Sequence, residues 1–223
     1  RGEKAVVKSV RRYARLSVLL LLLTACSAST MAYPHLSSDG LYLKVPKSWK
    51  ITNTVDLTAY EGKNPDQSAQ DRAANVRWQE AYSPKYVSPA KVFSISAGND
   101  PVVFVRVRDL YAEERDAVSL NSLRNAVVPT VSWAKEPAKY AYSSIIDEEK
   151  SFQGGWGVHL RFSFQSSESA EDPHQIMDQT ALLSPDSSTL YILVVRCSQA
   201  CFTKNQKIIE EIVSSFTVRG AHG

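Results

Sequence analysis

Between Gly155 and Phe164 apolar and polar side chains alternate, placing Trp156, Val158, Leu160, Phe162 and Phe164 inward and His159, Arg161 and Ser163 outward. That two-residue period is the signature of a strand with one face on a core. Gln175 to Leu183 and Thr189 to Arg196 read as two further strands, joined by Ser184-Pro185-Asp186-Ser187-Ser188, a segment of suitable chemistry for an antiparallel hairpin turn. Within the second, LYILVV is apolar at every position, as expected of a central strand covered on both faces. Val102 to Arg108 is a β-branched run with Val103, Val105 and Val107 on one face and arginines ending the other. Gly40 to Pro46 starts as a strand, Lys47 to Lys50 turns, Ile51 resumes extension, and Tyr140 to Lys150 is again extended.

Two helices complete the pattern. Ser119 is an N-cap for a helix with Leu120, Leu123 and Val127 on one face, stopped by Pro129. Thr203-Lys204-Asn205-Gln206 matches a capping box, and Ile208, Ile209, Ile212, Val213 and Phe216 recur on one side of the helix that follows. The polar run Glu61 to Asn75 reads as a surface loop or short exposed helix, and residues 83–101, with three prolines, as irregular. Consecutive strands 156–164, 175–183 and 189–196 form an antiparallel meander that helices around 120–128 and 204–216 cover, an α+β layer architecture.

The N-terminus follows a different logic. Residues 1–15 are strongly basic and run into Leu16 to Leu23, then Thr24-Ala25-Cys26-Ser27. A positive segment, a short apolar stretch and small residues make a secretory leader too short to span a bilayer. Leu23-Thr24-Ala25-Cys26 resembles the bacterial lipobox, in which the thiol takes a diacylglyceryl group before cleavage ahead of the Cys. The implied division is 1–25 signal peptide, 26–39 lipidated Cys and flexible tether, 40–219 a single domain, and 220–223 a tail. A plain signal peptide or uncleaved anchor with an incidental Cys26 is the alternative.

Charge and cysteine usage agree with export. The chain has 26 Lys plus Arg against 23 Asp plus Glu, but six of the basic residues and one acid lie in the first 25 positions. The other 198 residues carry about −2, which excludes a basic nucleic-acid-binding domain. With Cys26 consumed by lipid, Cys197 and Cys201 remain as a pair in an oxidising compartment. A disulfide pinning a strand-to-helix corner is the expected role; a bridge closing so small a loop contributes about 2 kcal/mol. A redox-active pair would have two intervening residues rather than three, and a zinc site needs further ligands.

Catalytic signatures are sparse. Ser88-Pro89-Ala90-Lys91 and Ser132-Trp133-Ala134-Lys135 match the Ser-x-x-Lys spacing of penicillin-interacting enzymes, yet neither SDN nor KTG occurs and Pro89 breaks the first pattern. Nucleophile-elbow, zincin, phosphate-loop and calcium-loop motifs are absent from the sequence. His174 with Asp172 and Asp178 is a conceivable metal set; a solvated loop is the simpler reading, and no metal, cofactor or catalytic residue is expected.

A Gly-aromatic-Leu start with Val-Pro-x-x-Trp (Gly40 to Trp49) and an amphipathic helix closing on Ile-Val-Ser-Ser-Phe-Thr-Val (Ile212 to Val218) resemble the PsbP-like superfamily. Asp178-Gln179-Thr180-Ala181-Leu182 and Val195-Arg196-Cys197 are similar to its actinobacterial-type lipoprotein branch. The resemblance spans roughly residues 38–219 and rests on structural motifs. It implies an α-β-α sandwich with a central, mainly antiparallel sheet. It also implies a non-enzymatic, membrane-anchored extracytoplasmic lipoprotein that binds or assembles with an envelope protein partner. A carrier of a lipid or small hydrophobic ligand is the first alternative and an envelope hydrolase the second.

Overall fold

The computed structural model describes residues 30–96, 98–153, 155–165 and 174–219. The chain divides into units 1–31 and 32–223, and the elements below belong to the second. The leader, the lipobox and Cys26 lie outside the described residues.

Seven strands form one fully antiparallel sheet. In chain order they are β3 (Lys50–Thr52), β4 (Val76–Ser83), β5 (Val102–Asp109), β6 (Ser143–Phe152), β7 (Gly155–Phe164), β8 (Gln175–Leu183) and β9 (Thr189–Ser198). Their spatial order is β3-β4-β5-β9-β8-β7-β6, so the LYILVV strand lies at the centre. Val103, Val105 and Val107 stand opposite Val195, Leu193 and Tyr191. A smaller sheet joins β1 (His35–Leu36), β2 (Leu41–Tyr42) and β10 (Thr217–Val218) in the order β10-β2-β1. Gly40, at φ 60°, supplies the left-handed turn that enters β2.

Each face of the large sheet has its own core. On one, the odd positions of β5 and β9 meet Cys201, Phe202, Ile209, Ile212 and Phe216 of helix α8 (Gln199–Ser215) and its end, together with Leu41, Leu43 and Val45. On the other, Leu190, Ile192 and Val194 pack with Val158, Leu160, Phe162 and Phe164 beneath α5 (Leu120–Arg124), α6 (Thr130–Trp133) and α7 (Pro137–Tyr140). Toward β4, the same face is closed by α1 (Thr54–Glu61) and α3 (Pro89–Phe93), whose Leu57 and Val92 pack on Ala81 and Val102. Two further helices, α2 (Gln67–Ala74) and α4 (Ala112–Ala117), complete the set. The α-β-α sandwich expected from the sequence is therefore present.

Several local expectations differ. Helix α8 starts at Gln199 rather than near Thr203, because the Ser198 side chain accepts the Cys201 amide and the strand passes directly into the helix. Helix α5 ends at Arg124, and Val128 rather than Val127 is buried. Strand β4 and helix α1 carry no strong period in sequence. Asn53 caps α1 by accepting the Asp56 amide, and β4 is held by pairing with β5. Residues expected to be tether also fold: β1 pairs with β2, Ala32 and Leu36 pack on the core, and buried Asp39 meets Arg77 at 2.7 Å.

Candidate functional site

A groove arises from element widths. A helix with its side chains is about 10 Å across and strands are spaced about 4.8 Å, so one helix covers about two strands. Helix α8 packs over β9 and β8. The faces of β7 and β6 beyond it are left uncovered, and a groove of about 750 Å³ opens there. Its apolar wall comes from Ile146, Phe152, Leu182, Val213, Phe216 and Val218, and the charged groups Glu148, Lys150, Glu210 and Arg219 also line it.

The floor is ionic. Asp178, with 1% of its surface exposed, sits on β8 opposite Arg161 of β7. Its Oδ2 accepts from Arg161 Nε at 2.7 Å, and its Oδ1 lies 2.9 Å from His159 Nε2. A carboxylate held by a guanidinium only accepts, so His159 carries its proton on Nε2 in this contact. Arg161 Nη1 reaches Glu210 of α8 at 3.8 Å, and its guanidinium stacks 5.0 Å above the Phe202 ring. Thr180 completes the floor beside His159.

This placement corrects the sequence reading. His159 and Arg161 alternate with the apolar residues of β7 as expected, but their face is turned toward α8 instead of open solvent. His159 is 8% exposed. The signal for the missed site was Asp178: an acid inside an otherwise buried strand needs a paired cation.

Chemically, the cluster is closed on itself. Among the described residues, the hydrogen bond of His159 goes to Asp178, and no hydroxyl or thiol hydrogen-bonds its ring. The geometry suits recognition: a groove with an apolar wall, a fixed polar floor and charges on both sides.

No family model matches this sequence, and no curated protein does. Among solved structures, the cyanobacterial PsbP protein CyanoP from Synechocystis is 13% identical, with 87% of this chain and 95% of that chain covered and a TM-score of 0.49. LpqN, involved in cell envelope biogenesis of Mycobacterium tuberculosis, is 12% identical over 85% of this chain and 90% of that one, at a TM-score of 0.43. The Ran-binding protein Mog1p of Saccharomyces cerevisiae is 10% identical over 86% and 96%, also at 0.43. These are what the fold is similar to, and their roles remain their own.

The other sequence candidates are placed as follows. Cys197 is the last residue but one of β9 and Cys201 lies in the first turn of α8; both are buried thiols in contact with each other. Sharing a hydrogen bond with Cys201, together with burial, raises the Cys197 thiol well above its usual range. Asp172 lies outside the described residues, and Asp178 is committed to His159 and Arg161. Among the described residues, no group of three or more His, Cys, Asp or Glu side chains is placed to hold a metal. Lys91 of the first Ser-x-x-Lys pattern lends its backbone carbonyl to Arg196.

Proposed function

We propose that the chain is an extracytoplasmic lipoprotein, anchored through a lipid on Cys26, whose folded body is a non-catalytic module binding an envelope protein partner in the groove between α8 and β6. The observation that carries this reading is the groove's outer wall. Strand β6 is a ten-residue edge of the sheet, with one side of its backbone free of any strand among the described residues. An extended partner segment can add to such an edge and place alternate side chains into the groove. The self-satisfied His159–Asp178–Arg161 floor supports binding over turnover.

Photo-crosslinking in cells tests it. Crosslinkers replacing Lys150 or Val213, both on the groove, should trap a discrete partner band that a crosslinker replacing Glu113 on α4 does not. Equal labelling at all three positions, or none at any, removes the groove from the account.

A second reading follows from the groove's size and apolar wall: it suits one lipid or small hydrophobic ligand. That occupant would survive mild extraction as an added mass on the protein, with no protein crosslink at Lys150 or Val213. In the same proposal Cys197 and Cys201 oxidise to a disulfide after export, closing the corner between β9 and α8.

A further inference from the structure

The opposite face of the sheet carries a second cavity, of about 500 Å³, built around one uncompensated cation. Arg196 is the last even-numbered position but one of β9, and its side chain turns away from α8 into the space beside α3. It is 6% exposed. Its Nη2 donates to the Lys91 and Val92 carbonyls at the end of α3, the second at 2.8 Å. Among the described residues its Nε and Nη1 have no hydrogen-bond partner and no carboxylate pairs with it. Elsewhere in this protein the half-buried and buried arginines answer acids: Arg106 meets Glu61 at 2.6 Å, Arg108 meets Glu114 at 2.8 Å and Arg161 meets Asp178.

Burial of an unpaired guanidinium is costly, and it is retained where something supplies the opposite charge. The cavity around Arg196 carries an excess of positive charge. Lys85 and Lys91 line it with Ser83, Ser94 and Ser96. Its acid, Asp100, is already taken by Lys85 at 2.8 Å. Lys91, exposed at the rim, has no ion pair among the described residues, so the lining holds Arg196, Lys85 and Lys91 against the single acid Asp100. Burial lowers Arg196 only to about 10, so it stays protonated at neutral pH. Two cations with serine hydroxyls in the lining match a dianion with several acceptor oxygens.

We propose that this cavity binds a phosphoryl group, with Arg196 and Lys91 as its charge partners. The site is separate from the groove beside α8, on the other face of the sheet. Its volume exceeds that of a bare phosphate, so a phosphate monoester fits, whether soluble or carried as a lipid headgroup.

The test is calorimetric titration of the full chain, purified in non-ionic detergent, with inorganic phosphate and with dihexanoyl phosphatidic acid. Saturable binding of at least one probe is expected at neutral pH. Lys91→Ala should weaken it about tenfold and Arg196→Met should abolish it, as losses of charge-assisted hydrogen bonds. Tighter binding of the lipid by tenfold or more would identify a headgroup as the source; comparable binding would identify a soluble ester. Where Arg196→Met does not fold, Lys91→Ala decides, with amide shifts of Ser94 and Ser96 locating the probe in the wild-type chain. Absence of saturable binding by either probe, or unchanged affinity in the folded variants, overturns the proposal and leaves Arg196 as a cap on the α3 carbonyls.

Discussion

Asp178 illustrates how a single side chain organises the groove. Its carboxylate is the shared acceptor for Arg161 and His159, and removing its charge would strand a nearly buried guanidinium. Breaking a buried pair from one side generally costs about 3–5 kcal/mol, because the surviving charge has no water to return to. Asp178→Asn should therefore lower unfolding stability in urea by about 3 kcal/mol, the smaller end because Glu210 stands 3.8 Å from Arg161. Glu210→Gln, on a half-exposed acid, should cost under about 1 kcal/mol. Equal losses in the two variants would place the anchor of Arg161 on α8 instead of the sheet. The sequence showed the alternation of β7 correctly, down to which residues share a face with His159. It could not show that this face of β7 forms the floor of a groove beside α8, since a period of two describes one strand and says nothing of what packs next to it. Arg196 was hidden for the same reason. A charged residue at a strand end reads as an exposed terminus, and only the packing of α3 against β9 makes it buried.

Elements with strong periods were readable, and those stabilised by neighbours were not. Strands β7, β8 and β9 and the apolar stripe of α8 follow directly from their sequences. Helix α1 and strand β4 have weak patterns and exist through Asn53 capping and pairing with β5. The start of α8 is the instructive case, because two N-terminal signals compete within six residues. Thr203-Lys204-Asn205-Gln206 has capping chemistry, but Ser198 holds the cap, and choosing it buries Cys201 and Phe202 on the α8 core. Those two side chains decide the matter, since burying them outweighs one capping hydrogen bond. Ser198→Ala should cost about 1 kcal/mol of unfolding stability. Thr203→Ala, on the exposed first turns, should stay within about 0.5 kcal/mol. The reverse ranking, measured by thermal or denaturant unfolding, would move the helix start back to Thr203.

At the scale of the whole molecule, the reading of an anchored body depends on Cys26 and on how little chain lies between it and the fold. Among the described residues, no helix is long and apolar enough to cross a membrane. Two acyl chains on one cysteine make a stable anchor, each buried methylene contributing about 0.8 kcal/mol. With residues from Ala32 onward in the folded unit, the intervening stretch of residues 27–31 reaches at most about 17 Å. Cys26→Ala should keep export and lose anchoring, moving the protein from the membrane fraction to the soluble extracytoplasmic fraction. The Cys197 and Cys201 thiols then report the compartment independently. Oxidation removes two protons and two electrons to the thiol oxidants of an exported environment, so non-reducing mass mapping of the released protein should find them bridged. Released protein with both thiols free would refute the disulfide while leaving export intact. Retention of Cys26→Ala in the membrane fraction would refute the lipid anchor itself, and the apolar stretch Leu16 to Leu23 would then be the membrane contact.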